Sequence, residues 1–422
     1  MHASKYECTG CGAELEFDPD HKTWTCPYCG SVYTQSDMDK AYGKSKGKRT
    51  VGQDVAASYQ SDAQTIECTC PTCGAVNTIS ERTYATNCSF CKSPILLEDH
   101  INAVCPDGIM PFAVTKETAA QTLQDWYKKR WFLPKDFRKP ENLQNITGYY
   151  VPYWIISCEA HTELEGTGQC SDSWESGNYR YTETKYYRFR RAANIPIQHL
   201  PCNASDHFNT TLLEAIEPFP YSKLEVFSKH YLNGYQASSY DRPVLTAYSD
   251  MKDRVSDSCK NILKNDAMHS YTSIHYTYQS IGLQRDHYNY VLLPVWSLDY
   301  KYGNTSYRFF INGQTGELAG QAPVSIGKCI LFSVIFAVVA FICTLLFLYF
   351  TFDDDATVKF YVLFSLFVVA LPVWCISFIY ARKTGKQQTP HSATDYIPSS
   401  NLRILREDTL MNTKKTRTKI NN

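Results

Sequence analysis

The chain has 422 residues, with 42 Lys and Arg against 42 Asp and Glu, so its formal net charge is zero and no global field draws it to a polyanion. The length suits two or three ordinary domains. Seventeen cysteines would suggest a disulfide scaffold in a secreted protein, but Met1–Phe17 is polar and reads as no cleavable signal, so the expectation is reduced thiols that bind metal.

The first element is a repeat. Cys8, Cys11, Cys26 and Cys29 recur 62 positions later as Cys70, Cys73, Cys88 and Cys91. Each copy has two residues inside each pair and 14 between the pairs, the spacing at which two knuckles fold onto one tetrahedral zinc ion. Residues 1–39 and 64–104 are therefore predicted to be two zinc ribbons, each with one structural zinc. With all four positions thiols, no coordination site is left for a catalytic water. Gly12, Gly30 and Gly74 follow three of the pairs, where a tight turn needs positive φ, and Lys92 follows the fourth. Cys68 is a spare thiol beside Cys70, because the repeat selects Cys70. Cys26-Pro-Tyr-Cys29 matches a glutaredoxin-type dithiol, but it lacks the βαβ setting that redox chemistry needs. The first ribbon is acidic: Lys5 and Lys22 stand against Glu7, Glu14, Glu16, Asp18, Asp20, Asp37 and Asp39, which disfavours binding to phosphate. The linker 40–63 carries a basic run at Lys44–Arg49 and has no apolar periodicity.

Residues 105–323 are predicted to form an aromatic-rich α+β domain on an antiparallel sheet. One helix is expected at Lys116–Phe132, capped by Thr115 and stopped by Pro134, and another at Ser249–Asp266. Strands are expected at Gly148–Cys158, Tyr179–Arg190, Ser273–Ile281, Tyr288–Tyr302 and Tyr307–Ile311. Its histidines (His161, His199, His207, His230, His269, His275 and His287) and Cys158, Cys170, Cys202 and Cys259 show no ligand spacing. No phosphate loop, nucleophile elbow or paired carboxylates are found, so no enzyme is expected.

Two apolar stretches, 330–350 and 360–381, flank an acidic loop within 324–381. Each is long enough for a bilayer core of about 30 Å. They predict a transmembrane helical hairpin in contact with the lipid bilayer. Arg382, Lys383 and Lys386 begin a basic tail, 382–422, so the positive-inside rule places the chain in a cell membrane with both termini cytoplasmic. The fold class read from the sequence is small-β zinc ribbons, an α+β antiparallel-sheet domain and a C-terminal two-helix transmembrane hairpin.

The paired ribbons, Gly148-Tyr-Tyr-Val-Pro-Tyr-Trp154, Tyr231-Leu-Asn-Gly-Tyr235, Leu292-Leu-Pro-Val-Trp296, Asn312-Gly-Gln-Thr-Gly-Glu317 and the apolar hairpin give the chain a resemblance. It resembles bacterial membrane-anchored double zinc-ribbon proteins, often labelled TFIIB-type zinc-ribbon or primosomal-helicase-like. The resemblance implies a non-enzymatic adaptor that recruits cytoplasmic proteins at the inner membrane face, with phage-shock-A-type or SPFH scaffold proteins as partners in membrane stress. The competing readings are a nucleic-acid-binding ribbon protein and an enzyme with an unrecognised site in the middle domain.

Overall fold

The structure is a computed structural model that describes residues 3–4, 6–18, 21, 23–42, 65–97, 105–139, 145–351, 379, 386–387, 390–398 and 402–419. Its N-terminal part is made of short strands. After β1 (Ala3–Ser4), β2 (Glu16–Asp18), β3 (Thr23–Thr25) and β4 (Val32–Tyr33) form an antiparallel three-stranded sheet, followed by helix α1 (Gln35–Tyr42). The second repeat contains the hairpin β5 (Thr65–Thr69) and β6 (Val76–Ser80), then β7 (Thr83–Asn87) and β8 (Pro94–Leu97). Strand β1, which precedes the first repeat, pairs with β8 at the end of the second, with Ala3 opposite Leu97.

The middle of the chain is dominated by long strands. In order come β9 (Gly108–Ile109), α2 (Lys116–Lys128), β10 (Thr147–Ser176), β11 (Tyr179–Asn203), α3 (Thr210–Glu214), β12 (Glu225–Val226), β13 (Gln236–Ser238), α4 (Val244–Ser270), β14 (Ser273–Tyr302), β15 (Thr305–Asn312) and β16 (Leu318–Gln321). Then follow α5 (Ile326–Thr351), β17 (Lys386–Gln387) and β18 (Ile404–Lys419). Among the described residues one 13-stranded sheet runs β1-β8-β7-β13-β10-β14-β15-β16-β17, with β11 branching from β10, β18 pairing onto β11, β9 branching from β14 and β12 pairing onto β9. The branch arises because β10 gives one edge first to β13, at Tyr149 and Tyr150, and then to β11, from Tyr153 onward.

Near its start β10 is apolar on both faces, as a strand covered on both sides must be. Tyr150, Trp154 and Ile156 enter one core, which also holds the ribbon side chains Tyr6, Leu15 and Trp24 and the α4 side chains Val255, Cys259 and Leu263. The alternate residues Val151, Tyr153 and Ile155 enter a second core with Leu212, Leu213, Ile216 and Phe219. Farther along, α4 covers one face of β10 and β11. Buried polar groups tie the elements together. Arg191 is fully buried, donating to Asp266 of α4 at 3.0 Å and to Asp408 of β18 at 2.6 Å. Buried Glu217 accepts from Arg254 and from the Tyr396 hydroxyl, and burial pushes its carboxyl up to about 7 against the pull of Arg254.

These observations correct the fold class. The described residues are mainly β, and although β2–β4 and β5–β6 form small sheets of their own, β1 before the first repeat and β7 and β8 of the second are strands of the large sheet. The transmembrane hairpin is also corrected. Residues Ile326–Thr351 are helical along the backbone, but described side chains do not extend beyond Ile342. Among the described residues no helix is long and apolar enough to cross a membrane. The first turn of α5 is instead held to the β domain: Lys328 Nζ donates to the carbonyls of Trp131 and Leu133, Cys329 is buried, and Phe132 meets Phe332 edge-on. The second expected span, 360–381, lies outside the described residues apart from Ile379. The membrane placement, the lipid contact and the cytoplasmic assignment of both termini rested on those spans and are withdrawn with them. The supposed basic tail is largely a strand, with Ile404–Lys419 pairing along β11 from Ala193 to Tyr179. Of the expected linker 40–63, residues 40–42 close helix α1 and 43–63 lie outside the described residues.

Candidate metal centres

Each knuckle is built by the same backbone turn. In the first repeat Cys8 N donates to Ala13 O at 2.6 Å and Gly12 N returns to Cys8 O at 2.8 Å; Cys26 and Ser31, and Gly30 and Cys26, repeat this at 2.8 and 2.9 Å. In the second repeat the matching pairs are Cys70 with Ala75, Gly74 with Cys70, Cys88 with Ser93, and Lys92 with Cys88. The closing residue needs the left-handed region. Gly12, Gly30 and Gly74 have φ of 74°, 72° and 71°, and Lys92 accepts the same conformation at 65°. A side chain there costs about 1–2 kcal/mol of backbone strain, and Lys92 Nζ donates to Ser89 O at 3.1 Å within its own turn.

The turns gather the sulfurs. Cys8, Cys11, Cys26 and Cys29 form one group and Cys70, Cys73, Cys88 and Cys91 the other, with all ligand atoms of a group within 4.8 Å of one another. Cys8 Sγ lies 3.4 Å from Cys29 Sγ and Cys11 Sγ 3.4 Å from Cys26 Sγ, while the matching pairs of the second group are each 3.7 Å apart. Four sulfurs at about 2.3 Å from a tetrahedral ion would be about 3.8 Å from one another. The donor set and spacing therefore fit a bound metal ion, and both groups could hold one. All eight predicted ligands are brought together. Cys68 is not among them: its buried thiol packs beside Cys70, Cys88, Ile95 and Leu97, and burial raises its pKa.

Packing four thiols together splits their acidities. The Tyr33 hydroxyl, 3.2 Å from Cys8 Sγ, leads in drawing Cys8 down to about 6. Burial opposes ionisation of Cys88, yet the backbone N–H groups of Cys91 and Phe90, with the Asn77 amide, draw it down to about 6. At Cys11 and Cys73 the backbone N–H groups of Ala13 and Ala75 favour the thiolate. Neighbouring sulfurs, led by Cys26 and Cys91, outweigh them and push both up to about 12. A shared cation would relieve that conflict in both groups.

Sequence reading missed the groups around the sulfurs. Tyr33 at Cys8 and Asn77 at Cys88 have no counterpart in the other repeat. Ser31, with its hydroxyl 3.1 Å from Cys29 Sγ, and Ser93, beside Cys91, are exact 62-residue partners, a signal that could have found them.

The first centre is docked on the β domain. Trp24 Nε1 donates to His230 O at 3.3 Å, Asn233 Nδ2 donates to Leu15 O at 2.8 Å, and Gln35 Nε2 donates to Ser228 Oγ at 2.8 Å. The buried His230 ring lies 3.2 Å from Asp39 and meets Tyr6 edge-on at 4.8 Å. Among the described residues no other group of His, Cys, Asp or Glu could hold a metal, and His161 pairs with Asn194 at 2.7 Å. A small cavity of about 20 Å³ lies between β11 and α4, lined by Cys202, Glu214, Arg242 and Arg254 among others. It has room for about one water. Burial raises the Cys202 thiol well above its usual range.

The fold and its two cysteine groups thus define a mainly β protein with two sites that could hold metal ions. The chain is similar to an uncharacterized protein of Bacillus subtilis (strain 168), YdjG, at 29% identity over 324 residues, 76% of this chain and 91% of that relative. No family model matches the chain. No solved structure matches it.

Proposed function

We propose that each cysteine group holds a structural zinc ion and that the protein is a non-enzymatic adaptor of the double zinc-ribbon type, binding other proteins through its metal-braced knuckles. The observation that carries the reading is the closed donor set: four thiols at tetrahedral spacing in each centre, two of each group's cysteines being buried and two exposed. Thiolate-only sites favour zinc and leave no position for a catalytic water. Such a centre fixes a surface turn so that little ordering is needed when a partner docks. The acidic first repeat favours a protein partner over nucleic acid, and scaffold proteins of the phage-shock-A or SPFH type are the first to test.

The test is crosslinked affinity capture of the full-length chain, with metal content measured on the same sample and Cys8→Ser/Cys70→Ser as the control. Two zinc ions per chain and a protein partner lost in the control are expected. Absence of zinc, or recovery of nucleic acid alone, overturns the reading.

A further inference from the structure

Tyr28 and Phe90 are the most exposed large hydrophobic side chains of the two repeats, at 85% and 69%. They are also repeat partners, 62 residues apart like the ligands, each the third residue of its second Cys-x-x-Cys pair. The knuckle does not require them. At Phe90 it uses the backbone, whose N–H donates to Cys88 Sγ at 3.4 Å, and the side chains of the repeat cores are Tyr6, Trp24, Tyr84 and Ile95, each at most 1% exposed. An exposed aromatic kept at the same place in both copies has no role in the packing. Each repeat also exposes a valine, Val32 in the first and Val76 in the second, at 58% and 54%.

We propose that the two knuckle tips form the docking surface of the adaptor and that their occupant is a protein segment rich in Lys or Arg with apolar anchors. This rests on the adaptor reading above. Three observations support the choice of occupant. The first repeat has seven acids against two bases over residues 1–39, and a divalent ion with four thiolates adds roughly two negative charges at each centre. The second repeat, 65–97, offsets Glu67 and Glu81 with Arg82 and Lys92 and so brings no excess positive charge against a cationic partner. The free faces of Tyr28 and Phe90 suit a guanidinium or ammonium group, whose attraction to an aromatic face adds to the acidic field. The tips are held in a fixed relation, because β1 pairs with β8 and the first repeat is docked on residues 228–233. For a segment that carries two anchors and reaches both tips, the second contact is intramolecular once the first has formed.

The test uses full-length, metal-loaded protein and fluorescein-labelled peptides of alternating Lys and Leu, alternating Glu and Leu, and alternating Lys and Ser, with an oligo(dT) of similar length. The Lys-Leu peptide is expected to bind best in fluorescence anisotropy. Tyr28→Ala and Phe90→Ala should each weaken it about fivefold, and the double variant further, with zinc content unchanged. Equal binding of the Glu-Leu peptide, tighter binding of oligo(dT), or a double variant that binds like the parent overturns the proposal. If the double variant still captures the parent's partner from cells, the knuckle surface is wrong while the adaptor reading stands. If the parent carries zinc and captures no protein, the adaptor reading fails and this proposal falls with it.

Discussion

Tyr33 and Asn77 show what the repeat does and does not copy. The positions matching them in the other repeat are Ile95 and Leu15, so the two centres share ligands and backbone turns but differ in the groups that hydrogen-bond to sulfur. The ligands could be read directly, because metal geometry dictates their spacing; these supporting groups could not, because any donor that reaches the sulfur will serve. Tyr33→Phe removes the hydroxyl 3.2 Å from Cys8 Sγ and keeps the ring. Loss of an outer-shell partner lowers metal affinity roughly 10–100-fold, so the first centre should weaken by about tenfold at the low end of that range while the second is unchanged. Competition against a chromophoric chelator measures both sites, and equal weakening of the two would show that the hydroxyl does not act locally.

At the scale of elements, local signals were read well and long-range ones poorly. Helix α2 begins at Lys116 with Thr115 Oγ1 accepting from Thr118 N, as its capping residue foretells. Helix α4 starts at Val244 behind Pro243, five residues before the expected Ser249, because the apolar contacts of Val244 and Ala247 extend its buried face. Strand β10 was expected to stop at Cys158, yet it runs to Ser176. The alternation continues there, with Thr162 and Leu164 buried between exposed or half-buried neighbours, but Gly166 and Gly168 look like a break. Structurally they are places of close approach. A Cβ on Gly166 would sit 2.4 Å from His275 O and 2.8 Å from the Phe189 ring, and one on Gly168 would strike the Tyr271 ring. Gly166→Ala should therefore destabilise the fold by about 1–3 kcal/mol through overpacking. Gly282→Ala in β14, which meets nothing within 4 Å, should be near neutral. Thermal unfolding of the two variants checks this, and equal midpoints would sink the close-packing argument. Strand β18 was missed for another reason: its polar, basic sequence has no burial pattern, and its conformation comes from pairing with β11, more than two hundred residues earlier.

At the scale of the whole molecule, the sequence suggested two ribbons tethered beside an independent domain, and the structure joins them. The contacts that do this connect residues about two hundred positions apart, such as Trp24 with His230 and Leu15 with Asn233, and no local pattern encodes them. They also make the first metal centre responsible for a surface of the β domain. Its strands are only two or three residues long, and an ion held by its four thiols would add folding free energy, which in small zinc modules is about 10–16 kcal/mol. Cys8→Ser/Cys11→Ser should then release the first repeat, leaving the apolar faces of Tyr231 and His230 without Phe17, Trp24 and Tyr6, which now pack on them. The expected readout is a large loss of amide-exchange protection across 6–42 and at 228–233, with protection retained in β10 and β14, whose partners lie in the large sheet. Unchanged protection at 228–233 would mean that the repeat keeps its place without the ion, and that packing of Trp24 against Tyr231, not the metal, holds the two parts together.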